Sequence, residues 1–257
     1  MNFPGRSVLK EIHRIHEDGF DFIDLTIEPP AAFDVDGKEI GSLIRDLGLG
    51  AVGHTAWYLP LASPWPEMRA LARDLFRRGL DIFTDADVEV VNVHPDGRVP
   101  LHSRDQVLAR NADVIAQLCV DASERGIHLM VENDDRTLAT VDDLRAVLDA
   151  VPDVGFHLDI GHANLHLAKG EPNRTARLLE AFAGRLSHVH VSDNRGSEDL
   201  HLPLGAGTID WKKSIRLLKD AGWDSTVTLE VFAREREHLR TSRRLWLQWW
   251  SGVNPTA

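Results

Sequence analysis

Residues 127–162 read IHLMVENDDRTLATVDDLRAVLDAVPDVGFHLDIGH. An apolar run, Ile127–Asn133, is followed by a helix-spaced stretch, Thr140–Ala150, and a second apolar run, Val154–His162. Two strands joined through a helix pair in parallel, because only a long crossover returns the chain to the same end of the sheet. The same rhythm extends both ways. Upstream, helix patterns at Ser7–Glu17, Lys38–Leu47, Pro66–Arg78 and Ser103–Arg125 alternate with strand-like runs at Phe20–Glu28, Leu49–Thr55 and Val88–Pro95. Downstream, Arg185–Asp193 and Ser225–Phe232 are strand-like, while Thr175–Ala183, Trp211–Ala221 and Glu235–Trp250 are helical. This alternation predicts a (β/α)8 TIM barrel spanning residues 1–257 as a single domain. The remaining strand has only Met1–Pro4 to occupy, so the first strand is expected to be short or stunted. A doubly wound open sheet is the alternative, but no GxGxxG turn supports it.

The chain carries 29 Lys+Arg against 40 Asp+Glu, a formal charge of −11, with 43% hydrophobic residues. A sizeable core follows, which argues against disorder. Net acidity argues against a protein that coats nucleic acid or an anionic membrane. The one cysteine, Cys119, excludes a disulfide framework, and any metal must be bound by carboxylates and some of the 13 His. No run reaches the roughly 18–20 apolar residues of a membrane span, and no signal peptide is visible, so a cytoplasmic protein is expected. Trp246, Trp249 and Trp250 share one helical face, which is expected to pack on the body or to make a homodimer contact.

Catalytic groups of such barrels lie at the C-terminal ends of the strands. Here those ends carry His54, His94, Glu132, Asp159 with His162 just after, His190 and Glu230, and Asp199 and His201 follow in the next loop. Nitrogen and oxygen donors of this kind suit Zn, Mn, Co or Fe better than Ca or Mg. The donors exceed what one ion uses, so one to three ions are expected, with substrate hydroxyls as the competing role for the surplus. Two residues before the ligands, Asn92, His157, His188 and Thr228 point into the barrel one layer lower, where some of them are expected to orient the ligands.

The chain resembles the xylose isomerase-like TIM-barrel superfamily, which includes sugar phosphate isomerases and epimerases and the AP endonuclease family 2 group related to endonuclease IV. The resemblance is carried by VENDD (131–135), HLDIGHA (157–163), HVHVSDN (188–194), DLHLPLGAGTIDW (199–211) and LE (229–230). In the epimerase branch it implies one metal held by Glu132, Asp159, His190 and Glu230. The two glutamates would serve as acid/base groups through an enediolate, and His162 would contact sugar oxygens. In the nuclease branch it implies a trinuclear zinc cluster, with His54, His94, Glu132, Asp159, His162, His190, Asp199, His201 and Glu230 matching the ligands. HTAWYLPLASP (54–64) is similar to a DNA-contacting loop of that branch, with Trp57 and Tyr58 as stacking residues. Against the nuclease stand NDDRT after Glu132, where those enzymes have a glycine-rich turn, the GTIDW closing motif, and the acidity. A metal-dependent sugar or sugar-phosphate isomerase/epimerase is therefore the expected function. Its partner is a small carbohydrate, and DNA is the partner only under the alternative.

Glu28, Trp57 and Arg195 are expected to touch substrate, Arg195 through a phosphate or carboxylate. The arginines Arg69, Arg73, Arg77 and Arg78 along one helix read as a solvated face. Cys119 reads as core packing, and His13, His16, His102, His128, His166 and His238 as structural or surface residues.

Overall fold

Apolar runs form the strands and amphipathic stretches the helices in the computed structural model, which describes residues 1–3, 5–30, 33–99, 101–165 and 174–256. In chain order these are α1 (Val8–Glu17), β1 (Phe22–Ile27), α2 (Gly37–Asp46), β2 (Gly50–Thr55), α3 (Pro66–Asp85), β3 (Val90–Val93), α4 (Arg104–Ser123) and β4 (His128–Glu132). Then follow α5 (Val141–Ala150), β5 (Gly155–Asp159), α6 (Ile160–Asn164), α7 (Thr175–Phe182), β6 (Leu186–Val191), α8 (Trp211–Asp220), β7 (Val227–Leu229) and α9 (Arg236–Gly252). The strands follow one another in the sheet in chain order, the arrangement of a TIM barrel. Among the described residues no helix is long and apolar enough to cross a membrane. The chain forms two compact units.

The first unit is Met1–Val131 with Ala146–Gly155. β1 and β2 pair in parallel from Phe22↔Gly50 to Ile27↔Thr55, and β3 pairs with β4 from Val90↔His128. A Cβ on Gly53 would stand 2.7 Å from Val91 and 3.0 Å from Phe83, so β2 passes too close to β3 and α3 for any side chain. Helix α3 continues past Arg78 to Asp85, because Ala72, Phe76, Leu80 and Phe83 keep one buried stripe across Gly79. Helix α4 starts at a capping box made by Ser103 and Gln106 and stops before Gly126, whose φ is 72°. Cys119 is half-buried in α4 rather than in the core.

Met1–Phe3 form no strand, and where the first strand is expected Asn2 bonds to β1. Asn2 is fully buried, its backbone N–H donates to Asp24 O, and its side-chain amide bonds both ways with Thr26. An amide side chain thus supplies the donor and acceptor that a neighbouring strand would supply. Pro4 lies outside the described residues.

The second unit is Glu132–Arg145 with Phe156–Ala257. Parallel pairing runs from β5 to β6 (Asp159↔His190) and from β6 to β7 (Val191↔Leu229). The tryptophan face of α9 packs within the unit: Trp246 is buried, 6.2 Å from the Trp211 ring and 5.7 Å from that of Trp250. His166 lies outside the described residues.

Candidate active site

Four strand ends of the second unit converge. Glu132 and Asp159 close β4 and β5, His190 stands one residue before the end of β6, and Glu230 follows β7 directly. One donor atom from each lies within 4.8 Å of all the others, and all four residues are buried. Three carboxylates share this space with one imidazole, whose Nδ1 is 3.2 Å from Glu230 and 4.0 Å from Asp159. Burial, with Glu230 and Glu132 nearby, pushes the Asp159 carboxyl up to about 7, although His162 and His190 oppose the shift. Burial would raise Glu230 too, but the charge and hydrogen bond of His190, together with His201, hold it below the usual carboxylate range. Asp159 Oδ2 is buried without a hydrogen-bond partner. Crowded, dehydrated carboxylates with an orphaned oxygen and a nearby imidazole are the donor set that a divalent cation satisfies.

Strand β5 ends three residues earlier than its apolar run suggests. Asp159 is the N-cap of α6, its Oδ1 accepting from the His162 N–H at 2.6 Å. The D-x-x-H spacing is therefore the spacing of a helix cap and its third residue, and it fixes His162 beside the cluster. His162 Nδ1 is 3.5 Å from Glu132 and 2.9 Å from Asn133 O, and its carbonyl accepts from buried Arg174 at 2.8 Å. On its other side, Nε2 stands 3.2 Å from Asp199 Oδ2, which is 2.8 Å from His201 Nε2. Burial would depress both imidazoles, but Asp159, Asp199 and Glu132 pull His162 well above its ordinary value. Asp199 and Glu230 likewise raise His201 to about 9. Asp199 in turn is held far below its ordinary value by the two rings, against its burial.

The loop bearing Asp199 and His201 is built around one buried carboxylate. Asp193 accepts from the N–H groups of Asn194, Gly205 and Ile209 and from the Trp211 indole, and its backbone pairs both ways with Leu202. A Cβ at Gly207 would collide with the Asp193 carboxylate and Asn194 O. His201, at φ 44°, stacks on Phe232 at 4.1 Å and bonds Glu230 O at 3.2 Å.

A family model described as a xylose isomerase-like TIM barrel matches residues 12–249. The chain belongs to this family. A protein of Methanocaldococcus jannaschii, described as uncharacterized, is 29% identical over 185 residues, 66% of this chain and 59% of that protein. The chain thus spans less than two thirds of that relative's length. The ketose 3-epimerase of Arthrobacter globiformis is 22% identical over 263 residues, 97% of this chain and 87% of that enzyme. Among solved structures, a D-tagatose 3-epimerase-like protein superposes with a TM-score of 0.85 at 24% identity, covering 97% of this chain and 95% of that one.

Beneath the cluster of this xylose isomerase-like chain lies a layer of buried polar residues. His157 Nδ1 is 3.3 Å from Glu132 Oε2, and its ring is 4.0 Å from that of His190. His188 lies between the hydroxyls of Thr226 (2.7 Å) and Thr228 (2.9 Å) and stands 5.2 Å from the His190 ring. Sequence reasoning missed Asn133, whose amide exchanges hydrogen bonds with the Asp159 backbone (2.8 and 2.9 Å), although it directly follows Glu132 in VENDD. It also missed Asp193 and Arg174.

In the first unit, His54 and His94 meet with ring centroids 4.9 Å apart. Asn92 bonds the Thr55 N–H at 2.7 Å and reaches His94 Nε2 at 3.1 Å. Glu28 is raised by burial despite His54 nearby, and it bonds Tyr58. Trp57 is exposed, set edge-on to Tyr58 at 5.9 Å with the Arg98 guanidinium 5.7 Å from its ring. Arg195 in the second unit is exposed.

Proposed function

We propose that this chain is a divalent-metal-dependent isomerase or epimerase of a small sugar or sugar phosphate. The observation that carries the proposal is the buried Glu132–Asp159–His190–Glu230 cluster, whose donors lie within reach of one ion. Relatives that are ketose epimerases support the substrate class. Zn, Mn, Co or Fe would be held by these four residues, and when bound would polarise a carbonyl and a neighbouring hydroxyl, acidifying the C–H beside them.

The two glutamates then divide the proton transfer. One carboxylate takes the proton from carbon, and the other returns one to the opposite face for an epimerase; return to the neighbouring carbon gives an isomerase. Glu132 is positioned for this by His157 on Oε2 and His162 on Oε1, and Glu230 by His190 and His201 on Oε2. Charged His162 would reach a substrate oxygen through Nε2, exchanging its bond to Asp199 for one to substrate while Nδ1 stays on Asn133 O. Glu28, Trp57 and Arg195 are proposed as substrate contacts. His157, His188 and Asn92 are proposed as orienting residues.

The His162–Asp199–His201 set, with Asp199 Oδ2 in reach of both Nε2 atoms, favours a second reading with more than one ion. In that reading the chain is an abasic-site phosphodiesterase with a trinuclear zinc centre. Two measurements separate the readings. Solvent deuterium entering ketoses or their phosphates, and lost in Glu132→Gln, supports the epimerase. Cleavage of an abasic duplex by protein with three zinc ions per chain, without deuterium exchange, would replace it.

A further inference from the structure

Between α3 and α4 lies a groove of about 570 Å3, lined by none of the residues assigned above and wholly within the first unit. Arg69, Arg73 and Arg77, four residues apart on one face of α3, line it together with Arg110 of α4. Arg78, next in the run, leaves the stripe and lies over the Phe33 ring at 4.2 Å. Arg73 is fixed by a fork to Asp121 (2.6 and 2.9 Å) and by Gln117 (2.9 Å). Arg77 reaches the same carboxylate only at 3.7 Å. Arg69 and Arg110 each spend one terminal nitrogen on a backbone carbonyl, Ser63 O at 2.6 Å and Ala62 O at 3.4 Å.

Each guanidinium has five N–H donors, so most of the donors in this groove are uncommitted. The lining stays net positive even with Asp74, Asp113 and the engaged Asp121 counted. Such a concentration of arginine within a chain of net charge −11 is held together against its own repulsion. Planar forks at this spacing match phosphate oxygens better than any neutral ligand. The volume is that of a small-molecule site, and the chain's overall acidity disfavours a nucleic-acid track.

The geometry points to a binding site for a small phosphate-bearing molecule between α3 and α4. Its carbonyl grips on residues 62 and 63 join it to the loop that carries Trp57 and Tyr58. Inorganic phosphate, fructose 6-phosphate and adenosine monophosphate are titrated calorimetrically into the metal-loaded protein. Inorganic phosphate binds saturably, and the organic phosphates show whether a sugar or a nucleoside is carried with it. The double variant R77A/R110A weakens binding at least about tenfold, while Glu132→Gln leaves it unchanged, which separates this site from the proposed catalytic one. Asp113→Asn tightens binding, a gain that loss of folding cannot imitate. Absence of phosphate binding, binding that survives R77A/R110A, or binding abolished by Glu132→Gln overturns the proposal.

Discussion

Asp159 shows how the chemistry of one side chain constrains the site. Its carboxyl, pushed up to about 7 chiefly by burial, retains a proton in much of the metal-free protein at neutral pH. An entering cation must displace that proton, so metal affinity falls as pH drops through about 7, and uptake releases protons. Calorimetry in buffers of differing ionisation enthalpy measures the release; uptake without proton release would contradict the prediction. The buried position of His157 was legible from strand alternation alone, two residues before the proposed ligand Asp159. Its contact with Glu132 predicts that His157→Phe lowers metal affinity by about 10–100-fold with the fold intact. Equilibrium dialysis against Mn or Co checks this. Asn133 was not legible, because an asparagine after a strand reads equally well as a turn.

At the scale of elements, the alternation of runs located the seven strands of the described residues and the helices between them, apart from the short α6. Several ends differ, and two of them have a clear physical cause. Helix α3 outran Gly79 because packing against Phe76 and Phe83 outweighs the roughly 1 kcal/mol helix penalty of glycine. Strand β5 stopped short because a carboxylate cap recruits the next residues into a helix turn. The loop hub at Asp193 was hidden for another reason: an aspartate amid Ser, Asn and Gly reads as a solvated turn, whereas here it is buried under four donors. Gly207→Ala pushes a methyl group into that hub and is expected to cost about 1–3 kcal/mol, visible as a lowered midpoint in urea. Unchanged stability would show that the loop relaxes freely.

At the scale of the molecule, the proposed ion would tie together chain segments at positions 132, 159, 190 and 230 and offset three buried carboxylates. The protein should therefore melt lower after chelation and recover with Mn, Co or Zn. The stabilisation should grow with free metal, reaching about 2.7 kcal/mol at a hundredfold excess over Kd. A melting temperature indifferent to chelator and metal would count against a resident ion. The barrel class was visible in sequence, and so were the strand-end positions of the four clustered residues, since strand ends sit at regular intervals. That His162 and His201 both bond Asp199 while they flank the four-residue cluster was not visible, because spacing along the chain does not say which donors face one another.

The N-cap formed by Asp159 has one more consequence. One oxygen of this carboxylate begins helix α6 by accepting from His162, while the other faces the cluster. The two oxygens of a single side chain are thus divided between architecture and chemistry. Asp159→Asn keeps an acceptor for the helix and surrenders the charge, whereas Asp159→Ala surrenders both. Drift to asparagine would empty the proposed centre and spare the helix start, whereas drift to any residue without an acceptor would undo both at once.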